Sequence, residues 1–164
     1  MLILMDNEKS DDKIVVFSEW MEMLSILSFG LQQNRIKHSL CTNKNTDFKQ
    51  HGSLQEFKHR IDVRVLLLPL YLGAEGLDLI VASHVFLIEP IRKESIERQA
   101  INRCHRLGNT KQTYVYKYYL KDTIEEKMIT KESSLQDDDG VEMMSSKKKE
   151  DLFSLENIKY LLNL

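Results

Sequence analysis

The stretch Val63-Arg64-Val65-Leu66-Leu67-Leu68-Pro69 decides the fold. A short β-branched and apolar run of this kind predicts a buried strand, and Pro69 marks its end. Two further runs have the same character: Lys13-Ile14-Val15-Val16-Phe17 upstream and His84-Val85-Phe86-Leu87-Ile88 downstream, the latter closed by Glu89-Pro90. Between them the period changes. Trp20, Leu24, Leu27 and Leu31 are spaced by four, three and four, which predicts an amphipathic helix from Glu19 to Asn34 with Ser18 as N-cap. A second short strand is expected over Lys37 to Cys41, then a polar loop from Thr42 to Gly52 and a short helix marked by Leu54 and Phe57. A loop runs through Gly73-Ala74-Glu75-Gly76. A polar helix is expected from Lys93 to Leu107, stopped by Gly108 as C-cap. Thr113 to Leu120 is strongly β-prone, and Asp122 or Thr123 would cap a helix reaching Lys131, with Glu125 and Glu126 at its positive end.

Strands alternating with helices require crossover connections, so the fold class is α/β with a mostly parallel sheet. Ligands of such sheets sit beyond the carboxyl ends of the strands, which directs attention to the loops after Phe17, Leu68 and Ile88. The length of 164 residues fits one domain with a short tail. The expected organisation is a lead-in over 1–12, a lobe over 13–133, an acidic and basic linker over 134–151 and a C-terminal amphipathic helix over 152–164. No apolar run approaches the roughly 18 residues needed to cross a membrane. Two cysteines, Cys41 and Cys104, cannot make a disulfide framework or the two zinc sites of a RING.

Net charge is −2, but it is unevenly spread. Arg92 to Lys121 holds eight basic residues against two acidic ones, a net of +6, and Asp122 to Glu156 holds five against eleven, a net of −6. A basic block can face a polyanion, although a solvated face is the commoner explanation.

The motifs narrow the chemistry. None of the six glycines begins a G-x-x-x-x-G-K-[ST] phosphate loop, and neither G-x-G-x-x-G nor G-x-S-x-G occurs. Gln99, Arg103 and Arg106 lie at i, i+4 and i+7, which predicts one helical face. Two guanidiniums beside a Gln suit phosphate oxygens, and a solvent-facing helix fits the same spacing equally well. Cys104, between two arginines, could carry a lowered thiol pKa, but a small buried hydrophobe is the stronger reading. His38, His51, His59 and His84 show no ligand spacing. Tyr114, Tyr116, Tyr118 and Tyr119 could stack on bases, but an alternating strand explains them better.

Gln99 to Thr110, QAINRCHRLGNT, closely resembles the sixth helicase motif of the Swi/Snf family of DNA translocases, QAxxRxHRxGQT, with Asn109 where the family usually has Gln. KIVVFSEW and LGAEGLDLI resemble that family's motifs four and five, in the right order, and YVYKYYLKDTIEEKM resembles the strand and helix that follow. The resemblance covers Lys13 to Lys131 and implies a RecA-like parallel sheet flanked by helices, the second helicase lobe. Ordinary members have Ser-Thr-Arg-Ala where this chain has Pro69-Leu70-Tyr71-Leu72, and an Asp-Gly-Ser/Thr element where it has CTNKNTD from Cys41 to Asp47. In the family both elements touch DNA or couple the lobes. These departures resemble a branch in which a ubiquitin ligase carries a split translocase motor.

The resemblance implies that a first lobe binds ATP and magnesium while this lobe closes on it, with Arg103 and Arg106 as arginine fingers and Gln99 ordering the nucleotide side. Gly76 and Asp78 match motif five on the nucleotide side, Asp78 standing where Asn is usual. His105 would tie motif six to motif five. Ser18 and Gly73 become candidates for contacting the DNA backbone. The implied partners are double-stranded DNA or a nucleosome, the first RecA-like lobe, and ubiquitin-conjugation machinery through other regions; the implied location is the nucleus. A RecA-like module that binds DNA or a nucleosome without catalysis is the alternative.

Overall fold

The structure is a computed structural model that describes residues 12–42, 47–73, 77–106 and 112–129. Its elements in chain order are β1 (Lys13–Ser18), α1 (Met21–Gln33), β2 (His38–Leu40), α2 (Asp47–His59), β3 (Val65–Pro69), α3 (Leu70–Gly73), β4 (Ala82–Leu87), α4 (Glu94–Cys104), β5 (Tyr114–Lys117) and α5 (124–129). The five strands form one parallel sheet in the order β2-β3-β1-β4-β5.

The apolar runs form strands because both of their faces are covered. Residues 14–18 of β1 and every residue of β3 and β4 are buried. Side chains alternate between faces along a strand, and the core divides accordingly. Val15, Phe17, Leu66, Leu68, Val85 and Leu87 pack with Leu54 and Phe57 of α2 and with Ala100 and Cys104 of α4. Ile14, Val16, Val65, Leu67 and Phe86 pack on the other face with Leu24 and Leu31 of α1. Each of the Val, Leu, Ile and Phe side chains among them contributes about 1.5–3 kcal/mol on full burial. Lys13 adds a long-range cap: its ammonium donates to the Phe57 carbonyl and, at 2.9 Å, to that of Arg60, where the partial negative charge of the α2 terminus gathers.

Several local expectations change. The first helix begins at Met21 with Trp20 as N-cap, and no side chain caps it. Ser18 instead closes β1. Trp20 keeps an extended backbone (φ −106°, ψ 117°), so its side chain leaves the phase of the helical stripe and is 60% exposed. The polar loop over 42–52 gives way to α2 from Asp47, because polarity reports solvent contact and not chain conformation; in the described part of α2, Leu54 and Phe57 alone are buried hydrophobics. One helical turn, α3, follows β3 directly and buries Leu70 and Leu72, while 74–76 of the expected Gly73–Gly76 loop lie outside the described residues. Helix α4 ends at Cys104, since His105 leaves helical geometry (φ −102°, ψ 88°).

At the far end, Thr123 Oγ1 accepts the Glu125 amide at 3.2 Å, while the Glu125 and Glu126 carboxylates accept the Leu120 and Asp122 amides, each at 2.8 Å. Thr123 is therefore the cap. The tyrosines of β5 pack as strand residues do: Tyr114 and Tyr116 stack on His84, and Tyr116 on Phe86 with centroids 4.6 Å apart. His38 is likewise structural, bonded to Ser28 Oγ and the Ile36 carbonyl. The expected Gly108 C-cap, the 134–151 linker, the 152–164 helix and the first eleven residues of the lead-in lie outside the described residues. Among the described residues no helix is long and apolar enough to cross a membrane.

Candidate functional site

Helix α4 presents its polar side because its apolar side is fixed. Ala100 and Cys104 are fully buried against the sheet and Glu97 is 5% exposed, so the roll of the helix turns Gln99 and Asn102 outward, with Arg103 half-buried beside them. Glu97 is held by Lys117 of β5. Beyond the end of α4 the non-helical His105 carries Arg106 onward. Arg106 is thus not at i+7 of a continuous helix, as the spacing predicted, because α4 stops two residues earlier. Gln99, Asn102, Arg103, His105 and Arg106 nevertheless line one open cavity of about 610 Å³.

Residues 78–80 are tied to the end of α4 and to α2. The Leu79 amide donates to the Arg103 carbonyl at 3.0 Å, and Leu79 itself is fully buried. Asp78 Oδ1 accepts the Ile80 amide at 3.3 Å, and Asp78 Oδ2 lies 3.2 Å from Lys58 Nζ. Burial pushes the Asp78 carboxyl up, but the Lys58 and Ile80 hydrogen bonds and the charges of Lys58 and Arg106 together hold it below its ordinary value. It is therefore an anion at neutral pH, next to two cations.

A second polar cluster sits where the strand order reverses. The chain leaves β1 toward β2 and leaves β4 toward β5, so the carboxyl ends of β1 and β4 form the topological switch point. There Glu89 accepts the Ser18 hydroxyl at 3.1 Å and the Glu19 amide, while the Glu19 carboxylate faces Arg92 Nε at 3.4 Å. Burial pushes the Glu89 carboxyl up, against the lowering by the Glu19 amide and the Ser18 hydroxyl. Ser18 is 1% exposed and also accepts the Trp20 amide at 3.0 Å. The Ser18 hydroxyl, expected to face the DNA backbone, is enclosed and engaged within the protein. Gly73 ends α3, which packs against α4. Gly76 lies outside the described residues.

Sequence reasoning missed Lys58, Glu89 and Glu97. Glu89-Pro90 was visible only as a strand end.

Both thiols are enclosed. Burial pushes Cys41 up to about 11 and Cys104 up to about 12, so the arginines beside Cys104 do not make it a thiolate. Neither sulfur should react with a chromogenic disulfide reagent at pH 8 until denaturant is added, after which both should. Rapid labelling of the native chain would contradict their burial.

Residues 1–108 match the helicase conserved C-terminal domain family. Among curated relatives, the mouse E3 ubiquitin-protein ligase SHPRH is 42% identical over 116 residues, covering 71% of this chain and 7% of that protein. The DNA repair protein rad8 of Schizosaccharomyces pombe is 33% identical over 150 residues, covering 92% of this chain and 13% of its own length. The chain thus spans a small part of the relatives it matches. Among solved structures, the C-terminal part of the Fun30 ATPase domain superposes with a TM-score of 0.69 at 26% identity, over 73% of this chain and 38% of that one. Family match, motif order and parallel sheet agree: the chain belongs to the helicase conserved C-terminal domain family, as a RecA-like second lobe of the Swi/Snf type.

Proposed function

We propose that this chain is the C-terminal motor lobe of an ATP-dependent DNA translocase and supplies Arg103 and Arg106 to the γ-phosphate of ATP held by a first lobe. The observation that carries the reading is the cavity lined by Gln99, Arg103 and Arg106 at the end of α4. Phosphoryl transfer leaves a protein little covalent chemistry to do; catalysis is positioning plus charge stabilisation of the transferring group. Guanidiniums suit that task because they stay charged and their forks match phosphate oxygens. Gln99, on the same side of α4, orders the nucleotide edge of the lobe interface.

The phosphate cradle has to come from the first lobe, since the sequence holds no phosphate loop. Magnesium belongs with that cradle, where it would bridge the phosphates, and no step in this lobe is routed through it. The substrate is double-stranded DNA or a nucleosome in the nucleus, and the parent protein is an SHPRH-like ubiquitin ligase that reaches its conjugation machinery through other regions. SHPRH and rad8, named as a ubiquitin ligase and a DNA repair protein, support that setting.

The isolated chain should show no ATP hydrolysis above background, with or without duplex DNA, and hydrolysis should appear when the first lobe is joined to it. DNA-stimulated turnover by the chain alone would overturn the division of labour. One observation favours a second reading, a non-catalytic DNA- or nucleosome-binding module. Leu70 and Leu72, where the family has Ser-Thr-Arg-Ala, are 3% and 4% exposed and serve the core. A salt-dependent DNA titration separates the two, since a motor changes its DNA affinity when ATP and the first lobe are added and a passive module does not.

A further inference from the structure

Lys58 stands in the last turn of α2, outside every motif that marks the site. Its side chain is 19% exposed, against 44% for the Asp78 carboxylate it faces at 3.2 Å. From Asp78 the contacts continue through Leu79, whose amide is bonded to the Arg103 carbonyl. A line of contacts therefore runs from α2 to the wall of the arginine cavity.

An anion beside a cavity built for anions has two costs. It repels an incoming phosphate, and it offers Arg106 a partner within the protein. A cation paired with that carboxylate offsets both, because it cancels the charge and draws Oδ2 toward α2. We propose that Lys58 is a positioning residue for oligophosphate binding, which by pairing with Asp78 weakens the hold of that carboxylate on Arg106 and on the approach of phosphate. The inference rests on the reading of Arg103 and Arg106 as phosphate-binding groups. The phosphates of a nucleotide and those of a nucleic-acid backbone share the relevant chemistry.

The test is a double-mutant cycle on the whole 164-residue chain, read by chemical-shift titration at constant ionic strength with two probes, inorganic tripolyphosphate and a short DNA duplex. Lys58→Met, which keeps the aliphatic stem, should weaken tripolyphosphate binding about 3–10-fold, and Asp78→Asn should tighten it about 2–5-fold, as expected for one charge a few ångströms from the ligand in a partly solvated site. In the Asp78→Asn background the Lys58→Met change should cost about twofold or less, and Lys58→Arg should bind as the wild type does. Coupling with tripolyphosphate assigns the site to nucleotide phosphates, and coupling with duplex alone assigns it to the backbone. Equal costs of Lys58→Met in both backgrounds, with both probes, overturn the proposal. If Lys58→Met fails to fold, Asp78→Asn decides: unchanged or weakened binding overturns it. Arg103→Ala and Arg106→Ala keep the two readings apart. If neither weakens binding, the phosphate-binding assignment itself fails; if they do and the cycle shows no coupling, only the role of Lys58 fails.

Discussion

In a two-lobe protein that joins this chain to its ATP-binding lobe, Arg103→Ala and Arg106→Ala should each lower kcat for ATP hydrolysis by about 10³-fold or more, the low end of what an arginine finger contributes. The loss should fall on kcat with little change in KM for ATP, because a finger acts on charge that develops in the transition state while the first lobe holds the ground state. Arg→Lys should rescue poorly, since an ammonium has one compact charge and no fork. The double variant should be scarcely worse than the more damaging single one, as expected of groups that act as a unit. The two positions are held differently. Arg103 is half-buried and its carbonyl is tied to Leu79, whereas Arg106 is exposed beyond the helix end. Turnover within about threefold of wild type in both variants, less than half of that finger contribution on a logarithmic scale, would remove the finger assignment.

The fold was readable where burial is two-sided. Ile14 to Phe17, Val65 to Leu68 and Val85 to Leu87 are continuous apolar runs because both faces of the sheet are covered, and no local feature competes with them. Helix α2 was only partly readable, since its polar residues carry no period. The arginines of the site were readable because they share a short segment with Gln99, although the helix break at His105 was not. Lys58, Glu89 and Glu97 were invisible for a different reason. Lys58 finds its carboxylate 20 positions away and Glu89 its hydroxyl 71 positions away, so each is an ordinary surface-type residue until the sheet forms. The arginine motif was a local signal, and these pairings are long-range.

The largest stability effect is expected at Phe17, and the contrast with Trp20, three residues on, makes it informative. Phe17 is 1% exposed on the central strand, paired on one side with Leu68 and on the other with Leu87. Phe17→Ala removes the ring from a closed core and should cost about 3–5 kcal/mol, a large share of the roughly 5–15 kcal/mol that holds a domain folded. In denaturant the midpoint should fall while the slope stays constant, because the surface exposed on unfolding hardly changes. Trp20→Ala, at a residue 60% exposed, should shift stability by about 0.5 kcal/mol or less despite the larger side chain. Equal costs at the two positions would mean that Trp20 packs where the structure leaves it in solvent. Phe17 also stands one residue before Ser18, whose hydroxyl and the following Glu19 amide are both held by Glu89. A loosened end of β1 should therefore raise amide exchange at Glu19 more than at Val15, since the latter is still paired by strands on both sides, and the damage should reach the switch point before it reaches the rest of the sheet.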